Sequence, residues 1–160
     1  LKNVTCPAYG LAEATLAVAI WEPGQEIKVD PERNLVSAGR PIPEVEVRTV
    51  QDNRQLPANR VGEIWVKGPN IFQGYYNNPD KTQECLYSGE WLRTGDLGYL
   101  DNQGYLFIVG REKELIIQAG RNIVPGDLEA IADQVPGVRY SAVISQYGYR
   151  VGTQLIFIIA

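Results

Sequence analysis

The chain has 160 residues, 15 Lys+Arg against 19 Asp+Glu for a net charge of −4, and a 44% hydrophobic share typical of a globular protein. Histidine is absent, which removes every imidazole base, the Ser-His-Asp and Cys-His arrangements and the HExxH zinc site. Cys6 and Cys85 are too few for a structural zinc site or a disulfide framework, and the acidic balance excludes a nucleic-acid-coating surface.

Leu1-Lys2-Asn3 is not followed by an apolar h-region, so no signal peptide is expected. No apolar run approaches the roughly 20 residues of a transmembrane segment; the longest near the end is Leu155 to Ala160. With the sparse cysteines, this points to a reducing, cytoplasmic location. Methionine is absent and the chain stops on the strand-like LIFIIA, so a piece of a longer protein is expected.

In chain order, a short strand runs through Tyr9-Gly10 into an Ala-rich stretch, and a loop with Pro23, Gly24 and Pro31 follows. EVEVRTV (Glu44 to Val50) alternates, with Val45 and Val47 on one face and Glu44, Glu46 and Arg48 on the other, which predicts a half-buried strand. VGEIWVKG (Val61 to Gly68) alternates again after a polar turn. Asn78-Pro79 opens a short helix with Pro in its first turn. Leu97 to Leu100 and Tyr105 to Val109 flank Asp101-Asn102-Gln103-Gly104 as a hairpin. ELIIQAG (Glu114 to Gly120) reads as a strand. Pro125 opens a helix with Leu128, Ile131, Ala132 and Val135 on one apolar face, stopped by Pro136-Gly137. Strands over Ser141 to Ser145 and Gln154 to Ile159 complete the chain. The fold class is α+β (mixed α/β) with many short strands.

Four local features could carry chemistry, and each has a structural rival. Tyr9-Gly10-Leu11-Ala12-Glu13 sets a ring, a flexible glycine and a carboxylate together; the ring could meet a flat ligand and the carboxylate a cation, or the segment could be a plain turn. Asp96, between Gly95 and Gly98, could accept two hydroxyls of a ribose diol or stabilise a turn. The cluster Gly110-Arg111-Glu112-Lys113-Glu114 reads by default as a solvated linker. Gly120-Arg121-Asn122 is a tight-turn signal.

Order and spacing together are more specific. YGLAE (Tyr9 to Glu13), GEIWVKGPNIFQGYYNNPDKT (Gly62 to Thr82), WLRTGDLGYLDNQGYLFIVGR (Trp91 to Arg111) and KELIIQAGRNIVPGDLE (Lys113 to Glu129) resemble the adenylate-forming superfamily of acyl-CoA synthetases, fatty acyl-AMP ligases, adenylation domains and luciferases. YGLAEATL, with Ala12 where most members have Thr, and the Gly120 to Glu129 pattern look most like the fatty acyl-AMP ligase branch.

The resemblance implies an enzyme that converts a fatty or other carboxylic acid to an acyl-adenylate with ATP and Mg²⁺, releasing pyrophosphate. The acceptor would be an acyl-carrier protein, or alternatively CoA; a non-catalytic module keeping the fold is the other alternative. Tyr9 would stack on adenine, and Gly10 and Ala12 would let backbone approach the α-phosphate. Glu13 would hold Mg²⁺. Asp96 would bind the ribose hydroxyls with Arg111 on the hinge side, and Lys113 would be the pivot. Residues 1–110 would be the end of a large domain with its distorted β-barrel, and residues 111–160 the start of a small one. A phosphate loop upstream, a late catalytic lysine and most of the fatty-acid pocket would lie outside this chain. Fatty acyl-AMP ligases also carry an inserted segment, and no insertion stands between Glu13 and Gly39.

Overall fold

The computed structural model describes residues 4–118, 121–148 and 153–160. The chain divides into two compact units, Leu1–Val109 and Gly110–Ala160.

The first unit is strand-rich. It opens with β1 (Ala8–Tyr9) and β2 (Ala19–Ile20), then a hairpin of β3 (Val29–Asp30) and β4 (Leu35–Val36), then β5 (Arg40–Pro41). There follow β6 (Glu46–Gln51), β7 (Arg54–Gln55), β8 (Gly62–Lys67), helix α1 (Pro79–Cys85), β9 (Leu86–Tyr87), β10 (Trp91–Leu100) and β11 (Leu106–Arg111), whose last two residues fall in the second unit. Strands β1, β2 and β5 pair as one small sheet. The larger, six-stranded sheet runs β11-β10-β8-β6-β7 with β9 beside β10, and curls into a half-barrel.

Strand β8 sits at the centre of that sheet and is covered on both faces. Ile64 and Val66 join Val45, Leu92 and Leu106 in the core. Trp65, on the opposite face, is 1% exposed beneath the guanidinium groups of Arg48 and Arg93, 4.9 and 5.7 Å from its ring centre, with Tyr87 at 4.7 Å. Alternation therefore describes the direction of side chains in β8 but not their exposure. The same correction holds for β6: it starts at Glu46, because Glu44 lies in a turn at φ 65°, and both Thr49 and Val50 are buried.

Helix α1 begins as expected, with Pro79 in the first turn and the Asn78 side chain accepting from the Lys81 backbone N–H at 3.1 Å. The hairpin after Leu100 also forms as read: the Asp101 carboxylate accepts from the backbone N–H groups of Gln103 and Tyr105, and Gly104 takes φ 80°.

The β3–β4 hairpin is strapped to the sheet by charge. The Tyr99 hydroxyl donates to Asp30, whose carboxylate also meets Arg33 at 3.1 Å, while Lys28 reaches Asp101. The Tyr99 hydroxyl bond, opposed by burial and aided by Arg33, lowers the Asp30 pKa to about 2, and burial with the Asp30 bond pushes Tyr99 up to about 12. A carboxylate depressed on folding stabilises above its unfolded pKa and ceases to do so as pH falls through its folded value. The strap's contribution is therefore complete above about pH 4 and is lost from there down to about pH 2. Urea midpoints measured against pH should show this acid slope in the wild type and a flatter one in Asp30→Asn; equal slopes would remove Asp30 from the strap.

The second unit holds a 3₁₀ turn (Glu112–Glu114), the hairpin β12 (Ile116–Gln118) and β13 (Arg121–Ile123), helix α2 (Pro125–Ala132), and the hairpin β14 (Ala142–Gly148) and β15 (Thr153–Ile159). The strand read over Glu114 to Gly120 is shorter than expected, because Glu112 to Glu114 coil into the turn, whose Leu115 N–H bonds back to the Glu112 carbonyl. Gly120, part of the expected tight turn, lies outside the described residues. Helix α2 ends at Ala132, before Val135; Ile131 and Val135 of its expected apolar face are 65% and 55% exposed. No helix among the described residues is long and apolar enough to cross a membrane.

Candidate functional site

Tyr9 ends β1 and the chain then folds back on itself over a few residues. Gly10 makes this possible: a Cβ there would lie 1.3 Å from the Leu16 carbonyl oxygen. The Leu11 carbonyl accepts from both Ala14 and Leu16 N–H groups at 3.0 Å, closing a 3₁₀ turn over Ala12–Ala14. Thr15 and Leu16 follow at φ 50° and 73°, a conformation that costs roughly 1–2 kcal/mol per residue without a glycine. Asn70 holds it in place. Its side-chain amide donates to the carbonyls of Ala14 and Ala17 at 2.9 and 2.8 Å, and its own carbonyl accepts from the Thr15 hydroxyl at 2.8 Å.

Asp96 reaches this turn from β10. Arg93 pairs with Trp65 and Leu97 with Glu63, so β10 advances four residues while β8 advances two; Thr94, Gly95 and Asp96 form a bulge. Gly95 takes φ 71°, its N–H donates to Glu63 at 3.2 Å, and the Asp96 N–H donates to the Thr94 hydroxyl at 3.0 Å. The bulge presents the Asp96 carboxylate, 6% exposed, to the Tyr9 hydroxyl, which donates to it at 2.6 Å. Of the two readings the sequence left open, a turn-forming Asp is thereby replaced by one held within a strand.

Glu13 is half-buried on the 3₁₀ turn. Its carboxylate accepts from the Tyr75 hydroxyl at 2.6 Å and its backbone carbonyl from the Phe72 N–H at 2.8 Å. That bond to Glu13, together with burial, raises the Tyr75 pKa to about 12. Gly10 and Ala12 are exposed on the same turn. Tyr9, Gly10, Ala12, Glu13 and Asp96 thus share one unit. Arg111, the last residue of β11, and Lys113, in the 3₁₀ turn, belong to the second unit and are exposed. Sequence reasoning assigned no role to Asn70, Tyr75, Thr94 or Glu63. Asn70 and Tyr75 sit within GPNIFQGYY, but no local spacing relates them to a turn more than 50 residues earlier.

The donor set discriminates between ligands. Among the described residues, no three of His, Cys, Asp or Glu cluster so as to hold a metal by themselves. A single carboxylate such as Glu13 suits Mg²⁺ arriving with nucleotide phosphates, because Mg²⁺ is commonly held by one or two carboxylates plus substrate oxygens. A buried, acceptor-only carboxylate such as Asp96 suits vicinal hydroxyls.

Residues 2–76 match the family model described as AMP-binding enzyme. A 2-succinylbenzoate–CoA ligase of Oceanobacillus iheyensis is 36% identical over 144 residues, covering 89% of this chain and 28% of the relative. Both support the AMP-binding, adenylate-forming superfamily. Solved structures of the superfamily agree with the fold. The McyG A-PCP complexed with phenylalanyl-adenylate aligns at TM-score 0.82 and 34% identity, over 99% of this chain and 29% of that one. The O-succinylbenzoate coenzyme A synthetase MenE of Bacillus subtilis, in complex with ATP and magnesium ion, aligns at TM-score 0.78 and 31% identity, over 96% and 30%. The chain spans less than a third of the length of these superfamily members.

Proposed function

We propose that this chain is part of an ATP-dependent acyl-activating ligase, with residues 1–110 closing its large domain and residues 111–160 forming the hinge and the start of a small one. The observation that carries the reading is the Tyr9–Asp96 hydrogen bond, which joins residues 87 apart at the end of one strand and in the bulge of another. It places an aromatic ring beside a buried carboxylate, one surface for a purine and one acceptor for a ribose. In this reading Gly10 and Ala12 line the α-phosphate with backbone only, since Ala12 has no hydroxyl. Glu13 holds Mg²⁺, Arg111 contacts the ribose, and Lys113 is the pivot. The substrate carboxylate attacks the α-phosphate and pyrophosphate leaves. Nothing in this step needs an imidazole; it needs positioning and neutralised charge.

The branch we favour is the fatty acyl-AMP ligase, with a carrier protein as acceptor, and YGLAEATL supports it. CoA as acceptor is favoured by the relative above, a CoA ligase in name. Cys6 and Cys85 are free thiols, which suits a cytoplasmic location.

One experiment tests both levels. The intact protein, given ATP, Mg²⁺ and a long-chain fatty acid, should release pyrophosphate and form acyl-AMP. Adding CoA or a phosphopantetheinylated carrier protein then identifies the acceptor. Absence of carboxylate-dependent pyrophosphate release with fatty and short-chain acids alike would overturn the ligase reading, and acyl-CoA formation would overturn the branch.

A further inference from the structure

Four hydrogen bonds converge on the Glu13 turn from one later segment. Asn70 ties down the carbonyls of Ala14 and Ala17, the Phe72 N–H binds the Glu13 carbonyl, and the Tyr75 hydroxyl binds Glu13 Oε1 at 2.6 Å. Tyr75 is itself fixed. Its N–H donates to the Thr82 hydroxyl at 2.8 Å, its ring meets Phe72 edge-on at 4.9 Å, and Lys81 lies 4.7 Å over it. The Thr82 hydroxyl in turn donates to the carbonyl of Asn78, the residue that caps the start of α1. The phenol is therefore anchored by a helix N-terminus and an aromatic neighbour, and it meets a carboxylate 62 residues away.

We infer that Tyr75 is a positioning residue that orients the Glu13 carboxylate toward the metal–nucleotide complex. The inference rests on the nucleotide reading above. A carboxylate on a short 3₁₀ turn can rotate about its side-chain torsions. A hydroxyl donor on one carboxylate oxygen restricts the plane of the group, and outer-shell partners of this kind set both orientation and affinity at metal sites. The Phe72 N–H and the Asn70 side-chain amide, bonded to backbone carbonyls, fix where the turn stands; the Tyr75 bond acts on how the Glu13 carboxylate faces.

The test compares Tyr75→Phe with wild type in the intact protein, using Mn²⁺ as the spectroscopic probe. Binding of Mn²⁺·ATP is followed by the electron paramagnetic resonance signal of free Mn²⁺, and binding of ATP alone is measured in chelator. Tyr75→Phe should weaken Mn²⁺·ATP binding by about tenfold or more while binding of metal-free ATP and the melting temperature stay near wild type. In a Glu13→Gln background, where no carboxylate remains to be aimed, the same substitution should have no further effect. Tyr76→Phe, at a neighbouring ring 93% exposed, serves as control. Unchanged Mn²⁺·ATP affinity, an equal loss with and without metal, or a loss that persists in Glu13→Gln would each overturn the positioning role. A wild-type protein that binds ATP in neither form would instead overturn the nucleotide reading itself, and this inference with it.

Discussion

Gly10→Ala should destabilise the first unit by more than about 3 kcal/mol. The new Cβ would stand 1.3 Å from the Leu16 carbonyl oxygen and 2.4 Å from its carbon. Both contacts are to backbone, so no rotamer change relieves them. The turn itself cannot widen cheaply, because the Leu11 carbonyl is already bonded to Ala14 and Leu16, and Asn70 holds Ala14 and Ala17. A useful contrast is Gly89, at φ 72° with nothing within 4 Å of a built Cβ. Gly89→Ala carries only the left-handed backbone cost of about 1–2 kcal/mol. Urea denaturation of the two variants separates steric overlap from backbone strain. A Gly10→Ala protein as stable as Gly89→Ala would mean that the close approach to Leu16 is not real.

If the proposed ligase reading holds, Asp96→Ala in the intact protein should cut kcat/KM for ATP by about 100-fold or more, with a much smaller loss of stability. Hydrogen bonds to a charged group contribute about 1.5–3 kcal/mol each, and a ribose diol would make two. In the fold the carboxylate receives the Tyr9 hydroxyl at 2.6 Å, so the variant also deprives Tyr9 of that acceptor. Tyr9→Phe separates the two contributions: it removes the hydroxyl, keeps the ring and leaves the carboxylate in the bulge. It should therefore cost much less than Asp96→Ala. Steady-state kinetics in ATP, with melting temperatures for each variant, decide the matter. Unchanged KM and kcat for ATP in Asp96→Ala would remove the ribose role, and equal losses in the two variants would assign the effect to the Tyr9–Asp96 bond alone.

Much of the architecture was legible in local pattern. Asn78-Pro79 marked a helix start because a side-chain cap and a preset φ act within one turn. Asp101 to Gly104 marked a hairpin because its carboxylate and glycine solve the turn locally. Exposure was less legible. Trp65 faces away from the core side of the sheet and is nonetheless buried, since neighbouring strands supply Arg48, Arg93 and Tyr87 as cover. The apolar face read for α2 shows the opposite error, with Ile131 and Val135 largely exposed. Periodicity reports direction, and only neighbours decide what lies in that direction.

By itself, the sequence determined the strand-rich α+β class, a motif order resembling that of adenylate-forming enzymes and the residues worth testing, because propensity, capping and turn chemistry act over a few residues. Tertiary structure decided the rest. The bulge at Thr94 to Asp96 exists because β10 pairs with β8 on both sides of two extra residues, and only that pairing brings Asp96 to Tyr9. Asn70 and Tyr75 acquire their roles from contacts 56 and 62 residues distant along the chain. Such contacts depend on sheet register and on the close packing of Gly10 against Leu16, which are settled by the whole fold at once and leave no local period to read.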